Sequence, residues 1–298
     1  MASHYYDWHV GRIHYKKNGL GDPVLLVHGL YPGASNEEFE FNIRALSRDF
    51  RVYAIDLLGF GMSDAPPIRY RASLYPNLLK DFVRDVIGSP TCAVATGESA
   101  SYLAAAAAEQ PDLISKLVFI SPQCTGRKNC NPHGWLKRLT QEFVRAMLVA
   151  TPLRLLFQEV MAGEWEIGEM LRRNFRETKS ISPIQVERLC ELARMPGVLD
   201  SYASLEVGLL SMSFETPLQR VIAPMLCIGG TSVAHDVAIR IQALSEVALD
   251  LRFEWIERAG RWVHQDSATA TNHLIARFFE DQGPMAREIS QSRALVSI

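Results

Sequence analysis

The chain has 298 residues, of which 48% are apolar and 21% charged, as in an ordinary folded protein that can bury a large core. Its formal net charge of -2 gives no electrostatic basis for binding nucleic acid or an anionic membrane surface. No apolar run reaches the roughly 18 residues that span a bilayer, and the N-terminus lacks a signal-peptide core. The five cysteines have no regular spacing. We therefore expect a cytoplasmic protein with no membrane span, metal or other cofactor.

The first part of the chain alternates between predicted strands and helices. Residues 8–16 alternate as in a strand, and Val24–Val27 is a short apolar run typical of a strand covered on both faces. This run ends in the turn-rich HGLYPG, residues 28–33, at the kind of strand end where open α/β sheets bind ligands. Further periodic segments predict a helix over 37–47, a strand over 51–55 and an amphipathic helix over 74–87.

The stretch CAVATGESAS, residues 92–101, runs from a short strand into an alanine-rich helix. A serine on such a turn is held in strained backbone and projects its hydroxyl away from the sheet, within reach of a substrate carbonyl. Ser99 is therefore the predicted nucleophile. Its pattern is GxSxS, which departs from GxSxG, and serines that cap a helix N-terminus are the alternative interpretation.

The second half of the chain contains a long helical insertion. After the strand KLVFISP, residues 125–220 have helical periodicity, and strands return at 224–230 and 251–256. Aromatic residues of the insertion, Trp135 among them, are expected to form its own core, and some of them to line a bulky apolar site. His264 follows an Ala-Gly turn and precedes a final amphipathic helix.

The motifs HGLYPG, RVYAIDLLGFGMSD, GESAS and KLVFISP, in that order, resemble the α/β-hydrolase fold, especially its capped esterase, lipase and epoxide-hydrolase-like branch. The resemblance covers residues 8–123 and 221–280. It implies an α/β fold with a mostly parallel central sheet flanked by helices and a helical cap inserted before the last two strands. The expected parts are a core over 1–124 and 221–283, a cap over 125–220 and a flexible tail over 284–298.

The resemblance also implies roles for individual residues. His264 falls where the family has its catalytic histidine, and it would accept the Ser99 proton during attack and return it to the leaving group. Asp56 and Asp64 fall at the family's structural aspartates, and His28 is interpreted as structural. The expected oxyanion and substrate-binding residues are Leu30, Ala100, Gly29 and Trp135.

The triad acid does not appear where the family has it. The usual position after Gly230 falls on Val233, and the second position used in the family offers Gln123. Asp236 is the nearest carboxylate, although a place in the first turn of a helix explains it equally well. Glu98, beside the predicted nucleophile, is a third candidate by adjacency only.

Two classes of enzyme therefore remain open. The leading hypothesis is a serine hydrolase that cleaves an ester, thioester or lactone of a bulky, largely apolar small molecule through an acyl-Ser99 intermediate. The alternative is a lyase or cyclase, for example in natural-product biosynthesis, which the GxSxS pattern and the missing acid both favour. A ligand receptor is a non-enzymatic possibility, and dehalogenase or epoxide hydrolase chemistry is disfavoured because those relatives use an aspartate nucleophile. Substrate identity and oligomeric state stay open.

Overall fold

The structure is a computed structural model that describes residues 2–123, 135–149, 153–177, 181–232, 244, 248 and 250–281, without the side chains of residues 135–139. Within these ranges, no helix combines the length and the apolar character needed to cross a membrane.

One sheet forms the centre of the molecule. Its strands are β1 (Ala2–Trp8), β2 (Gly11–Asn18), β3 (Pro23–Val27), β4 (Arg51–Ile55), β5 (Thr91–Thr96), β6 (Ile114–Ile120), β7 (Met225–Gly230) and β8 (Leu251–Ile256). They are ordered β1-β2-β4-β3-β5-β6-β7-β8. β2 pairs antiparallel with β1 and β4, and all other neighbours are parallel. The carboxyl ends of β3, β5 and β6 therefore meet at one edge, where the HGLYPG and GESAS turns lie.

The first predicted strand is wrong in one respect. The alternation over residues 8–16 predicts a single strand, but the chain turns at His9 and Val10 and forms a hairpin in which Trp8 pairs with Gly11. The period-2 pattern extends across the turn because both arms bury one face. Periodicity alone does not detect such a two-residue reversal.

Helices cover both faces of the sheet. They are α1 (Glu40–Leu46), α2 (Leu74–Phe82), α3 (Ser99–Glu109), α4 (Trp135–Val149), α5 (Leu153–Met161), α6 (Glu164–Asn174), α7 (Pro183–Ala193), α8 (Leu199–Glu206), α9 (Glu215–Leu218), α10 (Val263–Asp266) and α11 (Ala268–Glu280). A 3-10 turn, Asn36–Phe39, precedes α1, and a π-helical turn, Val83–Ile87, extends α2. The predicted class, α/β with a mostly parallel sheet flanked by helices, is confirmed.

Strand β3 shows why the sheet needs cover on both sides. Leu25 and Val27 belong to the core cluster that α2 and α3 complete, whereas Val24 and Leu26 belong to the cluster completed by α1 and α11. Because successive side chains of a strand point to opposite faces, a continuous apolar run is stable only between two layers of helices.

Helices α4 to α9 lie between β6 and β7 in the chain and are fastened to the loops at the carboxyl edge of the sheet. The Tyr202 hydroxyl of α8 accepts a 2.9 Å hydrogen bond from Gly33 N, and the Ser201 hydroxyl donates to Gly59 O at 2.7 Å. We propose that residues 125–220 form a cap. Within that range, residues 125–134, 150–152 and 178–180 lie outside the described residues, as does the proposed tail, 284–298.

Candidate active site

The turn from β5 into α3 contains strained backbone, as the sequence predicts, but at a different residue. Gly97 has φ +54, whereas Ser99 is the first residue of α3 and has no positive φ. The Ser99 side chain is fully buried, and its hydroxyl donates a 2.6 Å hydrogen bond to His28 O. The Ser99 hydroxyl is therefore bonded to the backbone and does not line the cavity described next, and its role as the nucleophile stays a prediction.

Gly97 instead faces a cavity of about 200 Å³, which it lines together with Leu30, Glu98 and His264. A Cβ atom built on Gly97 would meet no other atom within 4 Å. The strained position from which a nucleophilic side chain would reach a substrate is thus occupied by a residue that has no side chain. The turn supplies neither a serine nor an aspartate nucleophile to this cavity.

His264 meets a carboxylate that the sequence analysis did not consider. Its Nε2 atom lies 2.9 Å from Glu38 Oε1, and both side chains are buried. Glu38 comes from the 3-10 turn after β3, and His264 lies in α10, where Asn42 donates a 3.1 Å hydrogen bond to its carbonyl oxygen. The two residues form an acid–histidine pair at the edge of the cavity.

The Glu38 carboxylate is held by donors on both oxygens. Oε2 accepts from Gly29 N and from the Tyr31 hydroxyl, each at 2.9 Å, and Oε1 accepts from the Thr96 hydroxyl at 2.7 Å. Burial acts to raise the pKa of Glu38, but the contact with His264 and the bond from Thr96 outweigh it and lower that pKa. Burial and the neighbouring Glu38 raise the pKa of Tyr31 well above its usual value, so the phenol remains a donor.

Three buried polar atoms of residues that line the cavity have no hydrogen-bond partner among the described residues. They are the hydroxyl oxygen of Ser121 and both ring nitrogens of His264, whose Nε2 lies close to Glu38 Oε1 without hydrogen-bond geometry. Ser121 follows β6 and has φ +43, a left-handed conformation that is uncommon outside glycine. Unpaired polar groups and strained backbone both cluster at functional sites, which makes this cavity the candidate active site.

Glu98 contributes a second carboxyl group to the cavity. Burial raises its pKa to about 7, and the charge of Arg261 acts in the opposite direction. A carboxyl group with this pKa is present in both protonation states near neutrality, and it is able to donate as well as accept a proton. The cavity is therefore lined by the His264 imidazole and by a carboxyl group whose pKa lies near neutrality.

The three backbone amides that are predicted oxyanion donors have different surroundings. Leu30 lines the cavity, and its N–H makes no hydrogen bond within the described part of the chain. The Gly29 N–H is directed at Glu38, and the Ala100 N–H donates to Gly97 O at 3.4 Å. Of these three amides, only that of Leu30 has no hydrogen-bond partner among the described residues, and its role as an oxyanion donor stays a prediction.

The other residues selected from the sequence divide into two groups. Asp236 and the side chain of Trp135 lie outside the described residues. His28 accepts from Leu57 N at 3.0 Å and is buried in the loop. Asp56 accepts from Asn36 N at 2.5 Å, which ties the loop after β4 to the turn that carries Glu38.

Glu38 was missed because it looked like an ordinary helix-start residue. Glu37 and Glu38 occur together before an apolar helix, where acidic side chains stabilise the positive end of the dipole. The available signal was helical spacing, since Glu38 shares a face with Asn42 and both are buried.

A second cavity of about 420 Å³ adjoins the first, with which it shares Leu30, Glu98 and Arg261. Its outer walls come from α5, α6 and α8 and include Met161, Ile167, Leu205, Arg173, Glu166 and Glu206. The walls are therefore a mixture of apolar and charged side chains.

Residues 24–274 match the model of a family described as "Alpha/beta hydrolase family". A curated relative, the 2-hydroxy-6-oxo-6-(2'-aminophenyl)hexa-2,4-dienoic acid hydrolase of Metapseudomonas resinovorans, is 41% identical over 71 residues, which cover 24% of each chain. Haloalkane dehalogenase 2 of Mycobacterium bovis (strain ATCC BAA-935 / AF2122/97) is 37% identical over 88 residues, 28% of this chain and 29% of the relative. The matched stretches thus span only about a quarter of the length of these relatives.

Among solved structures, a serine hydrolase involved in carbazole degradation superposes with a TM-score of 0.77. The alignment covers 93% of this chain and 98% of that chain, at 15% sequence identity. At this identity the similarity establishes the fold alone.

Proposed function

The chain belongs to the alpha/beta hydrolase family, and we propose that it is an enzyme that acts on a small molecule by general acid–base catalysis, without forming a covalent bond to its substrate. The observation that carries the proposal is the His264–Glu38 pair beside a cavity in which Gly97 leaves the nucleophile position empty. An acyl-Ser99 intermediate has no support in the geometry, because the Ser99 hydroxyl is bonded to His28 O and does not line the cavity.

In this proposal His264 is the base. The ionised Glu38 carboxylate, 2.9 Å from Nε2, favours the tautomer that carries its proton on that nitrogen. The lone pair of Nδ1, which has no partner among the described residues, is then free to accept a proton from a group in the cavity. Glu38 also stabilises the imidazolium that forms, as the acid of a triad does.

Hydrolysis by water is the reaction we propose first. A water molecule in the open space over Gly97 attacks the substrate carbonyl carbon while His264 Nδ1 takes its proton. The Leu30 N–H and the protonated Glu98 carboxyl donate to the carbonyl oxygen as it becomes negative. When the intermediate collapses, the bond to the leaving group breaks and the His264 imidazolium returns the proton to that group.

A lyase or cyclase reaction is the second candidate. Such a reaction requires a base and an acid but no nucleophile. The raised pKa of Glu98, in a cavity that also holds His264, is the observation that favours it. The charged side chains of the outer cavity also indicate a substrate with polar groups, beyond the largely apolar molecule expected from the sequence.

The test combines a fluorophosphonate label, read by intact mass, with turnover of a panel of p-nitrophenyl esters. We expect no label on the parent chain, full ester turnover by Ser99→Ala, and a loss of about 100-fold or more in His264→Gln and Glu38→Gln. Product formed in ¹⁸O-water carries the isotope if water attacks the substrate, whereas a lyase product does not.

Gly97→Ser is the positive control, because it places a hydroxyl in the open space beside His264. We expect this variant to accept the label in a reaction that requires His264. Labelling of Ser99 in the parent chain, or loss of turnover in a Ser99→Ala protein with an unchanged melting temperature, would falsify the proposal.

A further inference from the structure

Arg261 brings a positive charge to the cavity, and within the described part of the chain no carboxylate forms an ion pair with it. It lines the inner cavity with Gly97 and His264, and it also lines the outer cavity. Among the described residues, no carboxylate oxygen lies within 4.0 Å of its guanidinium, and no hydrogen bond to its side chain is present. By contrast, Arg173, at the wall of the outer cavity, has Nε 3.4 Å from Glu169 Oε1.

The backbone on both sides of Arg261 is fixed. Gly260 N donates a 2.7 Å hydrogen bond to Asp266 Oδ2, and Trp262 N donates to Asn174 O at 3.2 Å. These bonds hold the segment between β8 and α10 against the end of α6. Only the side chain of Arg261 remains adjustable, so its guanidinium reaches a ligand in the cavity without any movement of the backbone.

The Glu98 carboxyl group, which senses the charge of Arg261, is not fully ionised at neutral pH. Burial raises the pKa of Glu98 to about 7, even though the positive charge of Arg261 lowers it. A large fraction of Glu98 is therefore protonated at pH 7, and the charge of Arg261 is left to a ligand. A buried or half-buried charge is stable when paired, which makes an anion the favoured ligand.

From this arrangement we propose that Arg261 binds a carboxylate group of the substrate, with the reacting bond placed over Gly97. The planar guanidinium presents paired N–H donors whose spacing matches the two oxygens of a carboxylate. The inference rests on the proposed function and deepens it, because it defines the substrate class of the same cavity as a small carboxylic acid.

The test is a calorimetric titration of the full chain at pH 7.5 with benzoate and with its neutral counterpart benzamide. A ring of this size fits a cavity of about 200 Å³. We expect the parent chain to bind benzoate at least tenfold more tightly than benzamide, Arg261→Gln to abolish that preference, and Arg261→Lys to retain part of it. The matched control is Arg258→Gln, an exposed arginine of the same loop that does not line the cavity, and it should retain the parent preference.

Two results would overturn the inference: no saturable preference for benzoate in the parent chain, or an unchanged preference in Arg261→Gln. Because the titration involves no turnover, its outcome is independent of the chemistry assigned to His264. Labelling at Ser99 would defeat the proposed function and leave the benzoate result standing. Loss of preference in Arg261→Gln together with an unlabelled Ser99 supports both.

Discussion

At the scale of single residues, Glu98 links the stability of the chain to pH. Burial raises its pKa from 4.5 to about 7, so the folded chain retains a proton that the unfolded chain releases. This stabilisation is complete below about pH 4.5 and is lost as the pH rises through 7. We expect the parent to lose roughly 2 kcal/mol more unfolding free energy than Glu98→Gln between pH 5 and 8. Urea unfolding at the two pH values measures the difference.

The control for this prediction is Glu280→Gln, an exposed glutamate at the end of α11. Its pH profile should follow that of the parent. Burial also raises the pKa of Glu206, but this residue is present in all three proteins and cancels in the comparison. Parallel profiles for the parent and Glu98→Gln would contradict the burial argument.

The turn after β5 shows why the strained position lies at Gly97, whereas the sequence pattern predicts it at Ser99. The strained residue of such a turn needs small residues two positions before it and two positions after it. Both Ser99 (with Gly97 and Ser101) and Gly97 (with Ala95 and Ser99) meet this requirement. A nucleophile needs a reactive group such as a hydroxyl, which favours Ser99. The backbone favoured the glycine, because a positive φ costs glycine less than any other residue.

At the scale of elements, the packing of the β8–α10 loop on α6 depends on Gly260. A Cβ atom at this position would lie 2.4 Å from Asn174 O and 2.8 Å from Arg176 N, both of which are backbone atoms. Gly260→Ala must therefore push the loop away from α6, and we expect it to reduce the unfolding free energy by about 2 kcal/mol. Thermal and urea unfolding measure this loss.

Gly168→Ala is the matched comparison, because it also changes a glycine to alanine. Its Cβ would meet only the flexible Arg172 guanidinium, at 3.5 Å, in the interior of α6. We expect a small gain in stability of about 0.5 kcal/mol from the better helix propensity of alanine. Equal effects of the two substitutions would show that the loop contact is not tight.

At the scale of the whole molecule, an ion pair joins the inserted helices to the turn that holds Glu38. Arg188 of α7 donates from Nε and Nη2 to the two oxygens of Glu37, each at 2.9 Å, and these bonds lower the pKa of Glu37. Both side chains are partly exposed, so solvent screens the pair. We expect a coupling energy of about 0.5 to 1 kcal/mol in the double-mutant cycle of Arg188→Met and Glu37→Gln.

This cycle is measured by urea unfolding at low and at high salt. The coupling should fall in 1 M salt, where charges are screened over about 3 Å. Lys16 lies 3.7 Å from Glu37, and the cycle removes its contribution because Glu37→Gln loses this contact equally in the parent and in the Arg188→Met background. Strictly additive effects at low salt would indicate that the pair does not hold the helices to the sheet.

Local patterns in the sequence predict most of the elements and the fold class. Strands β4 and β8 have the bounds that were predicted, because apolar runs and alternating patterns directly record which faces are buried. Spaced motifs at the ends of β3, β5 and β6 also identified the edge of the sheet that forms the cavity. Both predictions depend on local patterns, which are present in the order of residues along the chain.

The identity of the groups that meet at that edge depends on tertiary packing. Glu38 and His264 lie far apart in the chain, and the pairing of two buried side chains depends on the packing of the 3-10 turn against α10. The register of the turn after β5, which exposes Gly97 and buries Ser99, is set by how the backbone enters α3. Chemistry at the site depends on distances of a few ångströms, and these are fixed by long-range packing that leaves no periodic signal in the sequence.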